Sequence, residues 1–144
     1  MSRNKILTDT IGVYDRKAFN SYGDAFIHWN LPKKKIISQS SIGEKFNEET
    51  ITNLKNFKSY IESKQAKLFI TYPCFQDSSF ENSKEKIKMV DYNLRQNGFS
   101  VISFPERYKM DNSLMYNTVY HLTKKGVDIR TSLLIEDLKK VITK

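Results

Sequence analysis

From residue 33 onward, short apolar runs alternate with apolar positions at helical spacing. The run "KKKIISQS" predicts a strand around 35–39. Ile51, Leu54, Phe57 and Ile61 then recur at the spacing of one helix face. Asn47 suits the N-cap of that helix, Glu48 and Glu49 place negative charge in its first turn, and Phe46 and Ile51 occupy the two positions of a hydrophobic staple. "KLFITYP" (67–73) reads as a buried strand closed by proline. In the second helix Ser78 and Glu81 have capping-box spacing, Ile87, Val90 and Leu94 mark the buried face, and Gly98 sits where a C′ glycine belongs. "FSVISFP" (99–105) repeats the pattern of strand then proline. A loop from 106 to 122 leads to a last helix, capped by Thr123. Val127, Leu134, Leu138 and Val141 form its inner stripe, widened by Ile135 and Ile142.

The predicted order is β-α-β-α-β-loop-α. Strands joined by single helices pair in parallel through right-handed crossovers, so the expected fold class is α/β, three-layer, with a short, mostly parallel sheet flanked by helices. Residues 33–144 are read as one such domain. Residues 1–32 have no sustained period and read as a loop-rich lead-in with a short element at 25–30. In an open parallel sheet ligands sit beyond the carboxyl ends of the strands. "SQSS", "YPCFQDSS" and "PERYKMDNSLMYNTVYHL" emerge there, which puts His121 on the functional edge. Its place just before a helix start favours the neutral imidazole, the form a general base needs.

Charge adds little to this picture. The formal charge is +8, but residues 1–72 hold 12 Lys and Arg against 7 Asp and Glu, and residues 73–144 hold 12 against 9. The excess is spread along the chain and its one compact run, Lys33-Lys34-Lys35, is short for a nucleic-acid footprint. One cysteine, Cys74, excludes an internal disulfide and a cysteine-based zinc site, and two distant histidines give no ligand spacing. No G-x-G-x-x-G fingerprint follows a strand. The reading therefore calls for no cofactor and no metal. The N-terminal "MSRNKILTDTIGVYD" has no apolar signal-peptide core, and no run reaches the roughly 18 apolar residues of a membrane span, so the chain as given reads as cytoplasmic.

Two stretches carry a family resemblance. "FITYPCFQDSSF" holds a strand followed by Tyr72-Pro73, and "YNTVYHLTKKGVDIRTSLLIEDL" sets Tyr120-His121-Leu122, Gly126 and Arg130-Thr131 in one register. From about residue 66 to 142 the chain resembles the C-terminal half of an SGNH (GDSL-type) hydrolase-like domain, in the branch associated with bacterial cell-surface polysaccharide loci. The resemblance implies a flavodoxin-like, SGNH-hydrolase-like sheet and a serine esterase chemistry directed at an acylated carbohydrate. It implies His121 as general base, position 117 as the residue orienting it, and Tyr72, Pro73 and Tyr120 as walls of the substrate pocket. Relatives of this type often act outside the cytoplasm.

The pattern departs from the family at two places. Position 117 is Asn117 where the family has aspartate, an exchange that lowers kcat by roughly 10⁴ in a serine protease. The Gly-Asp-Ser that carries the nucleophile is absent, and Gly23-Asp24-Ala25-Phe26 has no apolar strand before it to form an elbow. The expectation is a hydrolase-like half without activity alone, its first strands and serine lying elsewhere. As alternatives it is completed by a separate N-terminal half, or it is a non-catalytic domain that pairs with a second copy or another chain through its sheet edge.

Overall fold

The computed structural model describes residues 15–41 and 46–142. The chain divides into two units, Met1–Pro32 and Lys33–Lys144. The first fourteen residues of the expected lead-in lie outside the described residues.

In the first unit, 3-10 turns cover Arg16–Ala18 and Ile27–Asn30, the second within the short element expected at 25–30. Phe19 and Ala25 form an antiparallel bridge across a reversal built on Asn20. Asn20 Oδ1 accepts from the backbone N–H groups of Tyr22 and Asp24 at 2.9 Å each, and Gly23 takes φ +86°. Only glycine adopts that conformation without cost. Gly23-Asp24 is thus part of a local turn, and among the described residues no parallel strand delivers it as a nucleophile elbow.

Among the described residues the second unit contains three α-helices. α1 spans Glu48–Ser63, and the Asn47 side chain accepts from the N–H groups of Glu49 and Thr50, as its cap position requires. Ile51 is buried and both Phe46 and Leu54 pack against the core, but Phe57 is 49% exposed, so the expected apolar face meets the core only along its first two turns. α2 spans Asp77–Gln96. It begins one residue before the expected Ser78 cap, because Gln76 occupies the N-cap position with no side-chain cap bond. Its end follows the prediction closely. Gly98 has φ +74°, its N–H donates to Arg95 O, and the Phe99 N–H donates to Leu94 O, a Schellman closure that buries Leu94 against Phe99. α3 spans Lys124–Ile142, and Thr123 Oγ1 accepts from the Gly126 N–H, so Thr123 caps it as expected. Val127 and Leu133 pack against the core. Ile135 and Ile142 are exposed and do not widen the inner stripe, while the fully buried position is Asp137.

The sheet is smaller than the sequence suggests. β1 (Phe75–Gln76) and β2 (Lys109–Met110) run parallel, with Phe75 opposite Lys109 and Gln76 opposite Met110. Upstream, "KLFITYP" and "FSVISFP" lie side by side, and the Ile70 N–H donates to Ser100 O while the Ile102 N–H donates to Ile70 O. This gives one parallel bridge, Ile70 to Val101, in place of two full strands at 67–73 and 99–105. Pro73 and Pro105 bring no N–H to the ladder, so pairing breaks at each and resumes beyond it. The strand expected at 35–39 does not form. That segment is held by the Lys34 N–H donating to Tyr116 O and by α2 side chains: the Gln39 N–H donates to Ser79 Oγ and Asn82 Nδ2 donates to Gln39 O. Ile36 packs inward while Ile37 is 83% exposed, so a single residue anchors the run.

Among the described residues the second unit is therefore a mixed α/β arrangement of three helices and a two-stranded parallel sheet. Its core gathers Ile51, Tyr72, Leu94, Tyr108, Met115 and Leu122 between the helices and the strand exits. Each such side chain contributes roughly 1.5–3 kcal/mol on burial. No described helix is long and apolar enough to cross a membrane.

Candidate functional site

The strand exits and α2 enclose a groove of about 190 Å³. Tyr72 and Pro73 leave the first extended segment, Phe75 belongs to β1, Pro105 opens the turn before β2, and Tyr120 comes from the loop before α3. Phe80, Ile87 and Val90 of α2 supply the opposite wall, with Lys86 beside them. Tyr72, Pro73 and Tyr120, the three residues expected to wall a pocket, thus line one cavity.

Each wall is fixed by an identifiable contact. The Tyr72 hydroxyl donates to Asp91 Oδ1, which Arg95 Nε also reaches at 2.9 Å. Burial first, and then the adjacent carboxylate, pushes the Tyr72 phenol far above its ordinary value, so it stays a neutral donor. Tyr120 lies flat on Phe75, with ring centroids 4.7 Å apart and planes 3° from parallel. Burial likewise raises the Tyr120 phenol. The Cys74 thiol donates to the Tyr120 carbonyl at 3.0 Å, and burial raises its pKa despite the nearby Arg130 guanidinium. A buried thiol held in the protonated form is a packing group and a poor nucleophile.

His121 stands next along the chain from Tyr120 but does not line the groove. It is exposed, on a loop closed by the antiparallel bridge between Met115 and Leu122. The Thr118 hydroxyl accepts from the N–H groups of Tyr120 and His121, at 3.3 and 3.1 Å, and shapes the turn. His121 Nδ1 lies 2.9 Å from Asn117 Oδ1. With that oxygen as acceptor, Nδ1 carries the proton and Nε2 keeps the lone pair, the tautomer a general base uses. Asn117 therefore orients the ring but supplies no charge to stabilise an imidazolium.

No hydroxyl or thiol among the described residues hydrogen-bonds the His121 ring. Ser78 Oγ pairs with Ser38 Oγ at 2.8 Å. Ser79, fully buried, donates to Gln76 Oε1 and accepts from the Gln39 N–H. Ser113 sits in the Asp111-capped turn. Among the described residues the arrangement is thus an imidazole oriented by an amide, with no hydroxyl or thiol bonded to the ring.

The remaining motif residues do structural work. A Cβ on Gly126 would meet Leu114 O at 2.6 Å and Leu122 Cδ2 at 2.9 Å, so only glycine permits this approach. Arg130 donates to the Tyr72 carbonyl at 3.3 Å and lies 5.0 Å from the centroid of the Tyr108 ring. It thereby fixes the backbone from which the groove wall projects.

Sequence reasoning missed Phe75, Phe80 and Pro105 as lining residues and assigned Ile87 and Val90 wholly to the core. Their signal was present in α2, where Val90 is 38% exposed on the face turned to the strands' ends. It could not be separated from an ordinary buried stripe by spacing alone. On the other side of β1, the Gln76 N–H donates to Val119 O, so the loop before α3 covers that edge of the sheet. Comparison of the chain with protein-family models, with curated proteins and with solved structures finds no match.

Proposed function

We propose that residues 66–142 form an SGNH-hydrolase-like half-domain, related to carbohydrate-ester chemistry, that holds an acyl group in its apolar groove without hydrolysing it. One observation carries this reading. Tyr72-Pro73 and Tyr120, 47 residues apart in sequence, wall the same cavity, while His121, next to Tyr120, has an orienting partner and, among the described residues, no nucleophile. An apolar cavity, with an oriented imidazole on the adjoining loop and no reactive oxygen beside it, supports recognition of an acyl group over its hydrolysis.

The purified chain is expected to hydrolyse p-nitrophenyl acetate no faster than its His121→Ala variant. A rate that falls at least tenfold on that substitution would show that a nucleophile is served by His121, and would overturn the non-hydrolytic reading. Binding is read separately, as chemical-shift changes at Tyr72, Val90 and Tyr120 on adding a short-chain alkyl ester. Changes absent from those residues at saturating ester would remove the groove from the proposal.

A further inference from the structure

The groove's lining selects the chemistry of what fits it, and this step rests on the groove being the acyl site. Its walls are four aromatic rings, two prolines, two aliphatic side chains and Lys86. An apolar cavity of about 150 Å³ holds one benzene molecule, so the 190 Å³ here takes an apolar body of about six carbons. The lining side chains carry three polar groups: the Tyr72 and Tyr120 hydroxyls and the Lys86 ammonium. The Tyr72 hydroxyl is committed to Asp91, and Lys86 has an interaction of its own within the chain. That leaves Tyr120.

Tyr120 is held at every group but its hydroxyl. Its N–H donates to the Thr118 hydroxyl, its carbonyl accepts from the Cys74 thiol, and its ring is stacked on Phe75. No described residue hydrogen-bonds the phenol oxygen. Phenylalanine would make the same stack, so packing gives no reason for the hydroxyl. With the ring already fixed, that hydroxyl is a donor that costs little to orient when a ligand takes it. A phenol oxygen is a better donor than acceptor, because its lone pair is delocalised into the ring, and an ammonium only donates. A ligand that only accepts therefore suits this lining. A sugar ring, whose hydroxyls must also donate, would lose hydrogen bonds to water with few returned. We infer that the groove takes a neutral ester with an apolar acyl body of about six carbons, and that Tyr120 is its specificity-determining residue, donating its hydroxyl hydrogen to the ester carbonyl. The acyl body lies between α2 and the Phe75–Tyr120 stack, and the alcohol portion of the ester lies outside the groove.

The test titrates three neutral probes into the full chain, following backbone amide shifts at Phe75, Val90 and Tyr120: methyl benzoate, benzyl methyl ether, which keeps the ring without the carbonyl, and methyl acetate. Methyl benzoate is expected to bind about three- to tenfold tighter than the ether, the worth of one neutral hydrogen bond. It is expected to bind at least about tenfold tighter than methyl acetate, which fills little of the groove. Tyr120→Phe keeps the ring and its stack, and is expected to bring the ester-to-ether ratio to about one with both probes still saturating. Val90→Trp, which fills the groove from an exposed position, is expected to abolish binding of both. Equal affinity for ester and ether, or a Tyr120→Phe variant that keeps the preference, overturns the role of the hydroxyl while the groove reading stands. Methyl acetate binding as tightly as methyl benzoate overturns the six-carbon body. Absence of saturable shifts with all three probes overturns the groove reading and this inference together. A Val90→Trp variant that still binds methyl benzoate places the ligand elsewhere and overturns the proposal.

Discussion

The stretch from Tyr116 to Arg130 has two halves of opposite character. From Leu122 onward every motif residue is rooted: Leu122 is buried, Gly126 touches the Leu114 carbonyl, and Arg130 holds the Tyr72 carbonyl. Asn117 and His121, by contrast, are tied to each other and not to the core: the imidazole is exposed and leans on an amide four residues away. The contrast separates two causes that a sequence motif mixes. The Gly126 and Arg130 positions are explained by packing whatever the chain does, whereas His121 and Asn117 have no packing reason to be what they are. A resemblance resting on both halves therefore says more about the shape of this corner than about its chemistry.

The largest effect is expected deep in the rooted half. Asp137 is 1% exposed and accepts from the Tyr108 hydroxyl at 2.9 Å, from Arg107 Nε and from Lys140 Nζ at 3.1 Å. It ties α3 to the turn that follows Pro105. Asp137→Ala leaves a buried Tyr108 hydroxyl without its acceptor and is expected to cost about 3–4 kcal/mol, read as a loss of denaturant midpoint. Burial pushes the Asp137 carboxyl up, but the Tyr108 hydroxyl, Lys140 and Arg107 outweigh it and hold its pKa below the ordinary value. A folded pKa lower than the unfolded one gives stability that is complete above the unfolded value, near pH 4, and is lost as pH falls through the folded value. The Tm gap between the native chain and Asp137→Asn should thus be widest near pH 6 and shrink below pH 4. A gap independent of pH would remove the charge from the explanation.

Next in size is Gly126→Ala. A methyl in a helix interior ordinarily gains about 1 kcal/mol over glycine. Here it meets a backbone oxygen that already accepts from the Thr123 N–H and hydroxyl, at 2.8 and 3.1 Å, and cannot step aside cheaply. A net loss of about 2 kcal/mol is expected by denaturant titration. A neutral or stabilised variant would mean that the close approach is not what keeps glycine here, and the contrast between the two halves would weaken.

Much of this corner was legible in the sequence, and the physical reasons are specific. The caps were readable because each is a local bargain between a side chain and nearby N–H groups: Asn47, Thr123 and Gly98 all perform as their positions dictate. The parallel relation of the two proline-ended segments followed from the alternation of helix and apolar run. Three things were not readable. The ladder continues past Pro73 and Pro105, because a proline interrupts pairing without ending the extended path. The 35–39 run is held by α2 side chains about forty residues away, which no local pattern announces. Asp137, a charge in the middle of an apolar stripe, reads as solvent-facing until Tyr108 and Arg107 come to it from another segment. The site divides the same way: Tyr72, Pro73 and Tyr120 were named from a motif, while the α2 wall needed three-dimensional neighbours.

The smallest effect is the sharpest test of the contrast. His121 is exposed, and its ring's bond to Asn117 joins two side chains on the same loop, so removing it exposes no buried surface and orphans no buried group. The loop itself is held by other contacts. The Tyr116 N–H donates to the His121 carbonyl at 2.7 Å, and the Thr118 hydroxyl accepts from two backbone N–H groups, none of which involves the imidazole. His121→Ala is therefore expected to change stability by less than about 0.5 kcal/mol, against about 2 kcal/mol for Gly126→Ala five residues on. The pair is measured on one chain by the same denaturant titration, so the ratio matters more than either value. A His121→Ala loss approaching that of Gly126→Ala would mean the imidazole supports the fold. Its presence would then need no functional reason, and the Asn117–His121 pair would be structural like the rooted half.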